Sequence, residues 1–395
     1  MQARSKNRFT LIKVIFVALF SSISWTTSAK PLAVVSNLPA PKIEAKAWVL
    51  MEMNSGVVVT SHNPDLPLPP ASITKLMMNY VVFARLRDGD IGYSDKVPIS
   101  EEAWRAEGSR MFADVNSRVE LGHLLKSTII QSGNDAAIAL AEFTAGSEFA
   151  FAQLMNQSAR ELGLNHSNFV NSSGLPAEGH AMSANDIAVL AAAIIREFPE
   201  FYTWYAERTY THNNITQQNR NRLLWKDDSV DGLKTGHTQA AGYCLVASAK
   251  RGKQRWIAVV LGSQSERSRE RQVQSLLNFG FAAYDPIAVL DEQGGIASIR
   301  VFGGVSEEVL LHPVEPINIV VPKGREKDLE VTLQHSPYFE APIEVGQGLG
   351  IASLSLDGKS LAEVPLVARS EIAQAGWWKR LVDSIKLSFY EATSD

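Results

Sequence analysis

After Ile43 the run AKAWVLMEMNSGVVVTSHNP places two apolar segments on either side of Asn54-Ser55-Gly56, the pattern of two β-strands joined by a tight turn. From Ser72 to about Phe198 apolar residues recur at spacings of three and four, as in LGHLLKSTIIQSGNDAAIALAEFTAG, which predicts helices. Strand texture returns in GYCLVASAKRGKQRWIAVVLGSQ, two β-rich segments around a basic, glycine-containing turn. Strands at both ends with helices between them predict an antiparallel sheet whose first and last strands are neighbours, flanked by the inserted helices. The fold class is therefore α/β of the α+β kind.

From residue 287 to about 370, short β-like runs separated by Gly, Pro and Asp-Gly show almost no helical period, which predicts a separate small all-β domain. In the tail GWWKRLVDSIKLSFYEA, a helical wheel puts Trp377, Trp378, Leu381, Val382, Ile385 and Phe389 in one sector, with Lys379, Arg380, Asp383 and Lys386 opposite. A terminal amphipathic helix over 374–392 is expected, too short and too charged to span a bilayer but suited to lying on a membrane surface. The competing expectation is that its apolar stripe docks on the chain's own β domain. The other end carries Arg4, Lys6 and Arg8, an apolar stretch from Leu11 to about Ile23 broken by Lys13, and the small residues Thr27-Ser28-Ala29. This reads as a secretory signal peptide over residues 1–29, followed by a proline-containing lead-in over 30–42. The domains expected are then a main domain over 43–285 and the β-rich one over 286–370.

Charge narrows the partners. The 395 residues include 38 Lys and Arg against 42 Asp and Glu, and removing residues 1–29 takes away four basic and no acidic side chains, leaving a net of −8. An acidic chain without a basic stripe is a poor partner for nucleic acid. Cys244 is the only cysteine, so no internal disulfide forms, and its apolar strand context reads as that of a small buried hydrophobe. The histidines show no metal-ligand spacing, and neither a metal nor a cofactor is implied.

Candidate chemistry begins with PASITKLMMNY. Ser72 and Lys75, three apart on a helix, share a face, and a serine hydroxyl becomes a useful nucleophile when a neighbouring base takes its proton. Lysine serves as that base when burial or a nearby cation destabilises its ammonium. Alone the pair is a common pattern, and Ser72 reads as a small polar residue at a helix start. An S-x-N element occurs three times. Ser61-His62-Asn63 precedes the helix, and Ser183-Ala184-Asn185 has the look of a helix N-cap before IAVLAAAII. Ser132-Gly133-Asn134 breaks a helical stretch with glycine, where polar groups can face a cleft, and is the copy of choice. Lys234-Thr235-Gly236, followed by His237 just before GYCLVASA, supplies a fixed positive charge and a glycine that lets a ligand approach the backbone.

The order S-x-x-K, S-x-N, K-T-G is shared by penicillin-binding proteins and class A β-lactamases. With QSGNDAAIALAE, FVNSSGLP and VDGLKTGHTQAAGYCLVASA, the chain resembles the low-molecular-mass penicillin-binding proteins that act as D-alanyl-D-alanine carboxypeptidases, over nearly its whole length. The resemblance implies a β-lactamase/transpeptidase-like catalytic domain, a periplasmic location on the outer face of the inner membrane, peptidoglycan stem peptides ending in D-Ala-D-Ala as substrate, and covalent capture of β-lactams. It further implies Ser72 as nucleophile, Lys75 as general base, and Ser132 as proton relay to the leaving amine. Asn134 would hold the substrate amide and orient Lys75, and Lys234 and Thr235 would bind the terminal carboxylate while Lys234 keeps Lys75 neutral. The backbone N–H groups of Ser72 and His237 would stabilise the oxyanion. The family also places an arginine where Arg269 falls within SERSRERQ, and a guanidinium fork matches a carboxylate. ELGLN, from Glu161 to Asn165, looks like the stretch that positions a deacylating water in class A β-lactamases, but Gly163 reads as a helix stop and Glu161 as an exposed last-turn residue.

Overall fold

The computed structural model describes residues 38–290 and 295–394. The expected signal peptide, 1–29, and most of the lead-in lie outside the described residues. The chain divides into two compact units, Leu38–Ala283 and one that begins at Tyr284.

The first unit is built on a five-stranded sheet. Its strands are β1 (Ala47–Glu52), β2 (Val58–His62), β3 (Val230–Thr238), β4 (Gly242–Arg251) and β5 (Gln254–Ser263), in the order β2-β1-β5-β4-β3, with antiparallel neighbours. As the alternation of textures predicts, β1 pairs with the late strand β5, Val49 opposite Val259. β1 is buried at every position, which needs cover on both sheet faces. Between β2 and β3 come helices α1 (Lys75–Asp88), α2 (Leu121–Ile130), α3 (Asn134–Ala145), α4 (Glu148–Glu161) and α5 (Ala184–Glu197), and α6 (Glu266–Ala283) follows β5. Their inward faces supply a core that includes Leu76, Met77, Leu124, Ile129, Leu140, Phe151 and Ile187. Ser183 caps α5, its Oγ accepting from the Asp186 N–H at 3.1 Å, so this copy of S-x-N is a helix start.

β3 is an edge strand, and this decides where the site lies. It runs beside a 3₁₀ turn, Ala71–Thr74, that leads directly into α1. A Cβ at Gly236 would come within 2.8 Å of the Pro70 carbonyl oxygen, so only glycine lets strand and turn approach this closely. Lys234-Thr235-Gly236, expected just ahead of a strand, is itself strand, with Gly236 opposite Cys244.

The second unit holds β6 (Tyr284–Leu290), β7 (Ala297–Phe302), β8 (Glu308–Pro313), β9 (Ile317–Pro322), β10 (Leu329–His335), β11 (Tyr338–Glu340), β12 (Gly348–Leu356) and β13 (Lys359–Ala368). Six of them form a sheet in the order β10-β12-β13-β8-β7-β11, and β6 pairs with β9. Its core is aliphatic, with Ile299, Val309, Leu311, Leu354 and Leu366 among its members. The terminal helix α7 (Trp377–Ser394) sits on this unit by its polar side. Asp383, only 5% exposed, accepts from the Gly303 N–H at 3.1 Å, Lys379 Nζ donates to the Gly304 carbonyl at 2.9 Å, and Tyr390 packs edge-on to Tyr338. The stripe of Trp377, Trp378, Leu381, Ile385 and Phe389 is exposed, between 49% and 73%. An apolar stripe docked on the β unit is therefore excluded, and Asp383 and Lys379, on the opposite face, are the docking residues. Among the described residues no helix is long and apolar enough to cross a membrane.

Candidate active site

The 3₁₀ turn has three residues per revolution, so Ser72 and Lys75 stand one above the other. Lys75 Nζ lies 3.2 Å from Ser72 Oγ. It lies 2.7 Å from Asn134 Oδ1 and 2.6 Å from the Ser173 carbonyl oxygen. Asn134 opens α3 just after the helix break, and its Nδ2 donates to the Glu107 carbonyl at 2.5 Å, which fixes Oδ1 toward the lysine. A neutral amine has two N–H groups and one lone pair. With two acceptor-only oxygens taking the N–H groups, the lone pair is left for the Ser72 hydroxyl.

Its surroundings move the lysine toward that state. Lys75 is fully buried, and burial is the main force that pushes its pKa down from 10.5 to about 7, against the raising effect of Asp135 and Glu148. Arg220 adds to the lowering, and Lys75 and Lys234 repel each other's charge. Lys234 is itself driven well below the ordinary lysine range, first by burial and then by the charges of Lys75, Arg220 and Arg269. Its Nζ donates to the Thr235 carbonyl at 3.1 Å. Arg220 and Arg269 reach this region beside Glu266, an arrangement that can take up an anionic group.

Ser72, Ser132, Thr235, Gly236, His237, Arg220 and Arg269 line one cleft of about 280 Å³. Ser132 sits in the break between α2 and α3 at φ +72°, in the left-handed region that a non-glycine residue rarely occupies. Its buried Oγ has no hydrogen-bond partner among the described residues. Asp135 supports the break, its carboxylate accepting from the Met111 and Phe112 N–H groups at 3.0 Å. Arg269, on α6, is 4% exposed; its Nη1 donates to the Gly236 carbonyl at 3.3 Å, its Nη2 pairs with Glu266 at 2.9 Å, and its Nε is unpartnered among the described residues. The His237 ring stacks on Tyr243 at 4.0 Å. The structure thus brings together Ser72, Lys75, Ser132, Asn134, Lys234, Thr235, Gly236, His237 and Arg269.

Two contributors escape the sequence reading. Arg220 donates through Nε to the Gln131 carbonyl at 3.0 Å and so faces the cleft. The Ser173 carbonyl arrives because Gly174, at φ +82°, lets its loop press against the nucleophile turn; a Cβ there would fall 1.9 Å from the Ala71 oxygen. Both decoys read as the sequence suggests. Glu161 is exposed at the end of α4, followed by Gly163 at φ +72°, and Cys244 is buried with its thiol pushed up to about 11 by burial.

A serine facing the lone pair of a buried lysine, beside a cationic cleft on a sheet edge, defines a serine acyl-transfer site. The sequence pattern of the D-alanyl-D-alanine carboxypeptidase family matches residues 34–265, and that of the penicillin-binding protein 5 C-terminal domain matches 284–374. The chain belongs to the D-alanyl-D-alanine carboxypeptidase family. It is 38% identical over 367 residues to D-alanyl-D-alanine carboxypeptidase DacC of Escherichia coli, covering 91% of this chain and 92% of that one. Penicillin-binding protein 5 of Haemophilus influenzae superposes with a TM-score of 0.82 at 38% identity, covering 86% and 100% of the two chains. Penicillin-binding protein D2 of Listeria monocytogenes in its ampicillin-bound form superposes with a TM-score of 0.57 at 27% identity, over 62% of this chain and 100% of that one.

Proposed function

We propose that the protein is a serine D-alanyl-D-alanine carboxypeptidase that removes the terminal D-alanine from peptidoglycan pentapeptides through an acyl-enzyme on Ser72, and that β-lactams acylate the same serine. The observation that carries this is the Lys75 amine, 3.2 Å from Ser72 Oγ and donating to Asn134 Oδ1 and the Ser173 carbonyl, so that its neutral form keeps a lone pair for the Ser72 proton. Lys75 takes the Ser72 proton as the oxygen attacks the penultimate carbonyl. The backbone N–H groups of Ser72 and His237 receive the developing oxyanion. Ser132, with its free hydroxyl, passes a proton to the leaving amine of D-alanine. Arg269, Thr235 and Lys234 receive the terminal carboxylate, the Arg269 guanidinium serving both it and Glu266. Water then releases the acyl group.

In this reading catalysis belongs to residues 43–285 and the β-rich domain spans 286–370. The exposed tryptophan-bearing stripe of α7 rests on a membrane surface, which with the expected signal peptide gives a periplasmic enzyme attached to the outer face of the inner membrane. The test compares D-alanine release from a D-Ala-D-Ala-terminated pentapeptide with turnover of penicillin. Release with slow penicillin turnover is expected; rapid penicillin turnover without release would make the protein a β-lactamase. The exposed position of Glu161 takes that carboxylate out of the reaction, which favours the first outcome.

A further inference from the structure

Ala71, immediately before the nucleophile, has φ +49°, a left-handed conformation that a residue with a side chain adopts only when its surroundings impose it. The hydrogen bonds around it name what imposes it. Thr74 Oγ1 donates to the Ala71 carbonyl at 2.8 Å. A hydroxyl has one proton, so its remaining contact, His180 Nε2 at 2.7 Å, is one in which the threonine oxygen accepts. His180 Nδ1 accepts from the Val170 N–H at 3.0 Å, so the imidazole is the neutral tautomer with its proton on Nε2. Ala71, Thr74 and His180 are 2%, 0% and 6% exposed. Burial, and secondarily the charge of Lys75, pushes His180 down to about 4, which keeps the ring neutral at neutral pH.

The relay joins two walls of the site. At one end is the turn that carries Ser72; at the other, Val170 opens the loop whose Ser173 carbonyl holds Lys75. We infer that His180 is a positioning residue for the reaction: through Thr74 it clamps the left-handed Ala71, and through Val170 it fixes the loop that orients the base. The role rests on the carboxypeptidase reading above only insofar as Ser72 and Lys75 do the chemistry. The hydrogen bonds of His180 go to Thr74 and Val170 and not to Ser72 or Lys75. It acts by keeping the Ser72 to Lys75 geometry, in which a displacement near 1 Å costs up to about 10²-fold in rate.

The experiment measures the rate constant of Ser72 acylation by a fluorescent penicillin, together with its non-covalent binding constant, D-alanine release and melting temperature, all rates taken well below each variant's melting temperature. His180→Ala and Thr74→Val are each expected to slow acylation by about 10-fold or more, with penicillin binding changed by less than about 3-fold, the signature of lost positioning. The double variant is expected to be no slower than the worse single one, because both break one chain. His180→Gln should recover most of the rate, its Nε2 donating to Thr74 and its Oε1 accepting from Val170. Wild-type acylation in His180→Ala, or fully additive losses in the double variant, would overturn the proposal. Should His180→Ala fail to fold, Thr74→Val alone decides, since it deletes the hydroxyl with little change of volume. A wild-type protein that acylates but releases no D-alanine would defeat the carboxypeptidase reading while leaving this comparison of acylation rates intact.

Discussion

In the Leu38–Ala283 unit, Lys75, Lys234, Asp135 and Arg269 are each at most 4% exposed. In the unit from Tyr284 onward, the buried polar side chains among the described residues are His312 and Asp383, and the core is aliphatic. The same contrast holds for backbone strain. Among left-handed non-glycine residues, Ala71 and Ser132 are buried beside the cleft of the first unit, whereas others, such as Asn116 and Asn214 in that unit and Asp357 at a hairpin tip of the second, are exposed. Burying charge without a matching partner opposes folding, so a chain keeps it where the perturbed state is used. The first unit is shaped by chemistry at its centre. The second is shaped by packing, and its unusual surface is the apolar stripe of α7.

That contrast can be broken most sharply at Lys75. Lys75→Met keeps the length and apolar stem but removes the base, and acylation by penicillin should fall by about 10²–10⁴-fold in stopped-flow measurements. Because a desolvated amine is lost, the melting temperature should hold or rise; a variant that acylates normally would remove Lys75 from the mechanism. Arg269→Ala should lower kcat/KM for the pentapeptide by about 10- to 100-fold, the scale of one charge-assisted hydrogen bond at about 1.5–3 kcal/mol, with Arg269→Lys intermediate. Equal kinetics in all three would return this arginine to a structural role.

The pH profile comes next in size. Lys75 must be neutral to act, so acylation should rise with pH through about 7 and fall about tenfold per unit below it. The sign for stability follows from the same lowered value. Between about 7 and 10.5 the unfolded chain holds a proton that the folded lysine has released, so this group's penalty on folding shrinks as pH rises across that window. An acylation rate flat from pH 6 to 8 (about one unit on either side of 7) would contradict the assignment. The smallest effects on acylation belong to the second unit. Leu354→Ala, in the aliphatic core, should destabilise that unit by about 2–5 kcal/mol in calorimetry while Ser72 acylation stays within about twofold. Replacing Trp377 and Trp378 by alanine should leave acylation unchanged and weaken co-sedimentation with phospholipid vesicles by about tenfold or more per tryptophan, from about 1.5–3 kcal/mol of lost apolar burial.

The sequence carried the parts of this account that are written in side-chain order and period. The pairing of β1 with β5, the helices between them and the aliphatic strands of the second unit follow from alternation and from spacings of three and four. Ser72, Lys75, Ser132, Asn134 and Lys234 were legible because each sits in a short motif on a local structure, a helix start, a helix break and a strand edge. The partner that completes the environment of Lys75 was not legible, because it is a backbone carbonyl 98 residues away. Any residue type carries that group, so no letter in the sequence marks it. His180 was hidden for a related reason: it reaches Thr74 across 106 positions, and a lone histidine in a loop has no spacing to read. Periodicity separates the two faces of α7 without telling which one docks, so both readings stood open; the Gly303 N–H and Gly304 carbonyl select the polar one.

The central claim is that Ser72 is the nucleophile, and mass spectrometry of the penicillin-treated protein tests it most directly. A single adduct of the drug's mass on the peptide containing Ser72, absent from Ser72→Ala and strongly reduced in Lys75→Met, is the predicted result. An adduct on another residue, or an unmodified protein after prolonged exposure, would contradict it.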